Sequence, residues 1–554
     1  MDERLSGSIR SSCTEVRRAR AGAGVGGTDA LGGSRSLAHL IRRRAAQFPE
    51  RIAFVTPAGT WTFRELDAQS NRIAQGFIAA GVAAGDCVAS LTKHAAECIL
   101  LLLAASKIDA VLAPLNWRLS ATELEYVLGV ARPKVLMADA MLAGTLGEIR
   151  TAAIPCRLVT DGPDDPALLS TWASAHPARD PGGEPGLDSA AARLFSSGTT
   201  GFPKAADLSH RGILTHCIEW TGPFRYVHGD TTHLNVLPTF HVSGIVNAVW
   251  MLFLGGTAVF QPEFNPQRYL AAIERHRVTD AFAVPAMLRT LVECVEIRTT
   301  DLSSLRCIAY GGSPIDEALL TQCITGFGCG FLQVYGMTEA SGTLTALYPE
   351  EHEPGGPRAH LLRSVGKPAA HIDLRIVSPV DRHECAEGEV GEVWVRSAQL
   401  MLGYHGDAAA TLAAFPEGRD PPGGWLRSGD AGYLEGGYLF LHDRIKDMII
   451  SGGENIYPAE VEMTLAAHPA VAESAVIGVP DEKWGETVKA CIVLRTGASA
   501  TASELIGFAR TRLAHYKCPT SVDFVDSLPR NPSGKILKRV LREPYWSGRT
   551  RNIA

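Results

Sequence analysis

The stretch LFSSGTTGFPK at 194–204 runs a short apolar strand into a loop of small hydroxylated residues and glycines. Such a loop turns backbone N–H groups and hydroxyls outward, and Lys204 adds a point charge, so the pattern suits a polyphosphate. It is not the P-loop of NTPases, because G-x-x-x-x-G-K-[ST] is absent and the lysine follows Pro203. Other candidates carry less chemistry by themselves. His241 has no second ligand at helical or turn spacing, which argues against a metal site and for a packed histidine. Taken alone, Glu339 after a strand reads as a solvated acid, Asp430 after Gly429 as a turn residue, and Arg444 as half of a surface ion pair.

The elements that must position these residues read as α/β. At 554 residues the chain exceeds a single core, and domains of about 150 residues predict three to four folding units. Apolar residues at 46% and charged residues at 20% exclude a chain disordered throughout. A formal charge of −6 gives no global argument for nucleic acid. The 12 cysteines contain no C-x-x-C pair, which fits neither a disulfide framework nor structural zinc and points to a reducing cytoplasmic setting. The longest apolar runs, 98–105 and 248–254, are far short of the ~20 residues of a membrane span and read as buried core. Residues 1–35, rich in Gly, Ser and Arg without an apolar h-region, are expected to form a disordered extension. From Ser36 a helical face of Leu37, Leu40, Ile41, Ala45 and Phe48 opens the folded part. Short apolar runs at 87–91 and 135–138 then alternate with helix-length segments at 63–81 and 122–130, and the alternation resumes through 279–284, 307–310 and 331–335. Past Gly388, close-set strand candidates at 392–396 and 438–441 predict a smaller β-rich subdomain. Beyond Lys446 a helix from Pro458, strands at 472–479 and 488–494, and a helix over 503–515 predict a separate α+β domain of about 100 residues.

In order, LPTFHVSG at 237–244, YGGSP at 310–314, QVYGMTE at 333–339, WLRSGD at 425–430, DRIKDMIISGGENIYP at 443–458 and LPRNPSGKILKR at 528–539 accompany the 194–204 loop. With that loop they make the chain resemble the adenylate-forming superfamily of acyl-CoA synthetases, luciferases and nonribosomal peptide adenylation domains over roughly 36–545. The resemblance implies a large nucleotide-binding domain over 36–445, a small mobile α+β domain over 446–545 and a tail at 546–554. It implies phosphate contacts from Ser196, Ser197, Gly198, Thr199, Thr200, Gly201 and Lys204. Thr338 would face phosphate and Glu339 would hold Mg²⁺, a hard cation that wants a carboxylate. Gly312, Ser313 and Pro314, with Tyr335 and Gly336, would wall the adenine. Asp430 would accept the ribose hydroxyls and Arg444 reach the same region. His241 would be the gate between nucleotide and acyl pockets, Lys535 the cation at the α-phosphate, Lys446 the hinge, and Gly452 and Gly453 part of the pantetheine channel. Lys538 and Arg539 read as a solvated basic edge. Three departures from the family pattern stand out: Ser196 and Ser428 replace threonine but keep a hydroxyl, Ala205 replaces a glycine after the Pro-Lys pair, and Asp109 stands where glycine is usual.

The implied activity is an AMP-forming carboxylate–CoA ligase using ATP, Mg²⁺ and CoA. Small residues near the gate, Ser243, Gly244, Asn247 and Gly312, predict room for a medium- or long-chain fatty acid, with an aromatic acid as the alternative. No Lys or Arg in the gate motif is available for a second carboxylate. An acyl carrier protein is the alternative thiol acceptor. Nucleic acid and a transmembrane segment are not expected, and oligomeric state is not legible.

Overall fold

The computed structural model describes residues 33–149, 154–160, 167–196, 203–419, 424–452, 454–530 and 536–547. The first described helix opens where the apolar periodicity does, although Ser34, within the stretch expected to be disordered, is already buried. Ser36 caps helix Leu37–Gln47, its hydroxyl accepting the His39 N–H at 3.0 Å, and Leu37, Ala38, Leu40 and Ile41 are buried. Helices Phe63–Ala79 and Ala121–Ala131 each start at a capping box, Thr62 with Glu65 and Ser120 with Glu123.

Two sheets form the large unit. A nine-stranded sheet runs in the order Lys367–Pro368, Gly342–Leu347, Gly330–Met337, Cys307–Gly311, Asp280–Ala283, Thr232–Asn235, Thr257–Phe260, Ile52–Thr56, Gly59–Thr62. Its central strands are parallel and its two margins antiparallel. A seven-stranded sheet runs Gly403–Tyr404, Lys204–Ser209, Ala190–Ser196, Val111–Pro114, Cys87–Leu91, Val135–Ala138, Cys156–Val159. The apolar runs around residues 98–105 and 248–254 become helices Ala95–Ser106 and Val242–Leu254, which pack on each other between the two sheets. Helix Ala95–Ser106 is buried at every position but Glu97, which is why its sequence shows no polar face.

The β-rich part is a four-stranded antiparallel sheet of Asp373–Val377, Gly391–Arg396, Leu426–Glu435 and Tyr438–Arg444. It starts before Gly388, earlier than the sequence reading placed it: strand Asp373–Val377 alternates as D-L-R-I but has no glycine turn immediately ahead of it. The chain then enters an α+β unit with its own core of Ile449, Val461, Leu465, Val476, Val488, Ile492 and Leu505. Here strands Val471–Asp481 and Gly485–Leu494 form a long hairpin, with Ile449–Ser451 and Ser521–Phe524 also paired to Gly485–Leu494. The helix expected over 503–515 ends at Arg510. Apolar spacing continues to Leu513, but the backbone tightens, with Arg512 N–H turned back to Ala509 O, and a 3₁₀ turn at His515–Lys517 precedes Pro519.

The departures at Ala205 and Asp109 acquire a physical reading. Ala205 lies in strand Lys204–Ser209 opposite Phe195 and is not among the residues with positive φ, so it needs no glycine. Asp109 has φ 56°, and its carbonyl accepts the Gly85 N–H at 2.7 Å. That left-handed conformation explains the family's glycine, and Asp is among the side chains that tolerate it. Among the described residues the cysteines are free thiols, and no helix is long and apolar enough to cross a membrane.

Candidate active site

Chain order reverses at Thr232–Asn235, which lies between Asp280–Ala283 and Thr257–Phe260 in the nine-stranded sheet. Connections leave this point in opposite directions and open a crevice outside the carboxyl ends of the strands, where open α/β sheets take ligands. His241 follows the reversing strand and stands half-buried at the start of helix Val242–Leu254, its ring 4.6 Å from that of Phe240. Gly312, Ser313 and Pro314 follow Cys307–Gly311 and are exposed. Gly312 has φ 83°, so the turn there needs glycine. Gly336 is needed for a different reason. A Cβ there would collide with the Gly342 carbonyl, where strand Gly330–Met337 bulges against its antiparallel neighbour.

The Tyr335 hydroxyl donates to Asp430 Oδ2 at 2.6 Å. Asp430 sits on the four-stranded sheet directly opposite Arg444, whose Nε is 2.7 Å from Oδ1. The Asp430 backbone N–H donates to Ser428 Oγ at 3.0 Å, which explains the hydroxyl at that position. Each carboxylate oxygen is thus already engaged by one donor, and each retains a further acceptor position. Burial pushes the Tyr335 phenol well above its usual range and the Asp430 carboxylate reinforces the effect. The same carboxylate, ahead of Tyr335 and Glu339, holds Arg444 firmly charged against the opposing effect of burial.

Glu339 lies in the 3₁₀ turn Thr338–Ala340, with both Thr338 and Glu339 half-buried. Its Oε1 accepts the Tyr404 hydroxyl at 3.0 Å. Tyr404 is fixed on the short strand Gly403–Tyr404 paired with Lys204–Ser209, and Lys204 Nζ lies 5.1 Å from its ring centroid. Burial, then Glu339, raises the Tyr404 phenol. Ser196 faces Lys204 across the hairpin. The structure therefore gathers Lys204, Glu339, Tyr335, Asp430 and Arg444 into one polar group spanning three sheets. Ser197, Gly198, Thr199, Thr200, Gly201, Gly453 and Lys535 lie outside the described residues. Gly452 is elsewhere, in the α+β unit, with φ 61° and its N–H bound to Trp484 O at 2.8 Å.

Lys446 falls in the 3₁₀ turn Ile445–Asp447 that joins the two units. Asp447 is held there by Arg542 of the last helix at 2.7 Å, both side chains nearly buried. The expected solvated edge needs correction at Lys538, whose Nζ pairs with Glu462 at 3.0 Å and is largely covered, while Arg539 is exposed. Helix Lys538–Trp546 packs on strand Val471–Asp481, which turns Lys538 inward. Sequence reasoning missed Tyr404 and Arg542. Their partners are 65 and 95 residues away in the chain, and no spacing rule connects them.

Two family models match the chain, "AMP-binding enzyme" over residues 41–405 and "AMP-binding enzyme C-terminal domain" over 460–535. A fatty acid–[acyl-carrier-protein] ligase, ScoC of Streptomyces coeruleorubidus, is 36% identical over 91% of this chain and 95% of its own length. A feruloyl-CoA synthase of an Amycolatopsis species is 36% identical over 91% of this chain and 98% of its own. The crystal structure of ATP-bound MatB from Rhodopseudomonas palustris superposes with a TM-score of 0.82 at 31% identity, covering 92% of this chain and 99% of that one. The chain belongs to the AMP-binding enzyme family, within the adenylate-forming superfamily. Its class is that of AMP-forming acid–thiol ligases.

Proposed function

We propose that the chain converts a medium- or long-chain fatty acid, ATP and CoA to acyl-CoA, AMP and diphosphate. A carboxylate oxygen attacks the α-phosphorus as its bond to diphosphate breaks, and the CoA thiol then attacks the acyl carbon of the adenylate, expelling AMP. The observation that carries the reading is the Tyr335–Asp430–Arg444 group set beside the Glu339–Tyr404–Lys204 line at the strand ends. Asp430 and Arg444 bind the ribose, and the turn Gly312–Pro314 with Tyr335 and Gly336 receives the adenine. Lys204, with Ser196 and the 197–201 loop, takes the phosphates, and Thr338 faces them. Glu339 offers a half-buried carboxylate with one oxygen steadied by Tyr404, a hard donor suited to Mg²⁺. Mg²⁺ bound there would neutralise phosphate charge. Lys535 stabilises charge growing on the α-phosphate, and His241 separates the nucleotide from the acyl group. The small domain, over 446–545, turns about Lys446 between the two steps, withdrawing Lys535 and bringing Gly452 and Gly453 to line the pantetheine path.

The fatty-acid assignment is supported by the small residues near the gate, by the lack of a cation in the gate motif, and by the relative named as a fatty acid ligase. The aromatic alternative is supported by the feruloyl-CoA synthase at equal identity. The test is thioester formation and AMP release over a panel of aliphatic and aromatic acids, with CoA and holo-carrier protein compared as acceptors. Turnover of long aliphatic acids with CoA is expected. Activity confined to aromatic acids, or to the carrier protein, would overturn the corresponding part.

A further inference from the structure

Strands Asp373–Val377 and Gly391–Arg396 are joined by a loop whose sequence, DRHECAEGE at 381–389, is dense in cation-binding groups that the proposed reaction does not use. The loop is fastened at several points. Cys385 N–H donates to Ile376 O at 2.8 Å, and Val377 bridges Glu384. A tight turn follows, in which Glu389 N–H reaches Ala386 O at 3.0 Å and Glu389 Oε2 accepts the Ala386 N–H at 3.0 Å. This turn folds Glu389 back over His383, placing Oε1 3.5 Å from Nε2. The ligating atoms of His383, Cys385 and Glu389 all lie within 4.8 Å of one another. The other ring nitrogen, Nδ1, is 2.7 Å from Asp381 Oδ1. A carboxylate on Nδ1–H fixes the tautomer that presents the Nε2 lone pair, the pairing that orients metal-bound imidazoles.

We propose that His383 Nε2, Cys385 Sγ and the Glu389 carboxylate form a site for a borderline divalent cation of the zinc type, with Asp381 as the residue that positions His383. Thiolate and imidazole select such an ion over Mg²⁺, so this site does not compete for the ion proposed at Glu339. Three protein ligands leave the fourth tetrahedral position to water. Burial, then Glu389, Asp381 and Glu384, hold the Cys385 thiol above its ordinary value. Ion binding must therefore release that proton. The loop runs into Val390, which packs with Ile445, Met448 and Tyr457 where the two units meet. A bound ion stiffens the surface beside the segment that carries Lys446.

The test uses the full chain, reduced and stripped by chelator, in a Cys13→Ser background because Cys13 lies outside the described residues. Titration with Co²⁺ alone is expected to produce a thiolate-to-cobalt absorption that saturates at a single ion per chain and is displaced by Zn²⁺. Cys385→Ser should abolish it, and Glu389→Gln and His383→Gln should weaken binding. Asp381→Asn should weaken it about 10–100-fold, the usual effect of losing a second-sphere partner. Melting of each variant without metal checks that the fold is retained. Absence of the absorption in the parent protein, or its survival in Cys385→Ser, overturns the site. Unchanged affinity in Asp381→Asn overturns the positioning role.

Discussion

Asp430 and Glu339 are each held by a tyrosine, and the two tyrosines do different work. Tyr335 lies at the end of a strand of the nine-stranded sheet and ties that sheet to the four-stranded one through its 2.6 Å bond to Asp430. Tyr404 reaches Glu339 from the seven-stranded sheet. A hydrogen bond to a charged group contributes about 1.5–3 kcal/mol. Tyr404→Phe is therefore expected to raise the MgATP requirement of adenylation about 10-fold or more, with melting little changed, as read from diphosphate release against Mg²⁺ concentration. Wild-type Mg²⁺ dependence would remove Tyr404 from the site. Lys535 gives the sharper test, because its proposed role belongs to one chemical step. Lys535→Ala should slow acyl-adenylate formation by roughly 10²–10³-fold, the scale of removing a preorganised electrostatic donor. Supplied acyl-adenylate should still become thioester at the normal rate. Loss of both steps would indicate misfolding, and loss of neither an ordinary surface lysine.

The turn Ile445–Asp447 is the element about which the small domain is proposed to turn, and Arg542 braces it from the last helix. A 3₁₀ turn already has φ near the proline value, so Lys446→Pro should lock the turn without breaking it. The two half-reactions, assayed separately, should fall by unequal factors, and equal losses would count against a hinge. Legibility also divides at this scale. Strands Cys87–Leu91 and Val135–Ala138 were readable to the residue, because a parallel strand buried on both faces is a continuous apolar run between turn signals. Glu339, Asp430 and Arg444 were legible only through the ordered motifs around them, since an acid or base by itself looks like solvated surface. The Arg444–Asp430 pair rests on antiparallel register, and Tyr404–Glu339 on the meeting of two sheets. Neither leaves a period in the sequence. Lys538 misled because a run of basic residues resembles a solvated edge until a helix packs one of them inward.

Across the whole molecule, buried histidines set the response to acid. Burial lowers His210 and His233 from 6.5 to about 4, and His216 to about 3. Between 6.5 and about 4 the unfolded chain binds protons that the folded chain refuses, so stability is present above 6.5 and is lost as pH falls through that window. His210 adds a structural reason, since its Nδ1 accepts the Leu37 N–H at 3.3 Å and so needs the neutral ring. Both His233 nitrogens are buried without a hydrogen-bond partner among the described residues. His233→Phe, which removes one of the three groups, should flatten the fall of melting temperature between pH 6.5 and 4, and an unaltered slope would contradict this account. The packing of helix Ala95–Ser106 has a consequence for biosynthesis. This helix has almost no polar face, and part of what covers it, helix Val242–Leu254, leaves the ribosome much later. Strand Lys204–Ser209 likewise waits for Gly403–Tyr404 before its outer edge is paired. Part of one apolar helix and one strand edge therefore stay uncovered until later segments emerge, which makes the nascent chain a natural client for holding chaperones and gives a reason to expect aggregation on dilution from denaturant.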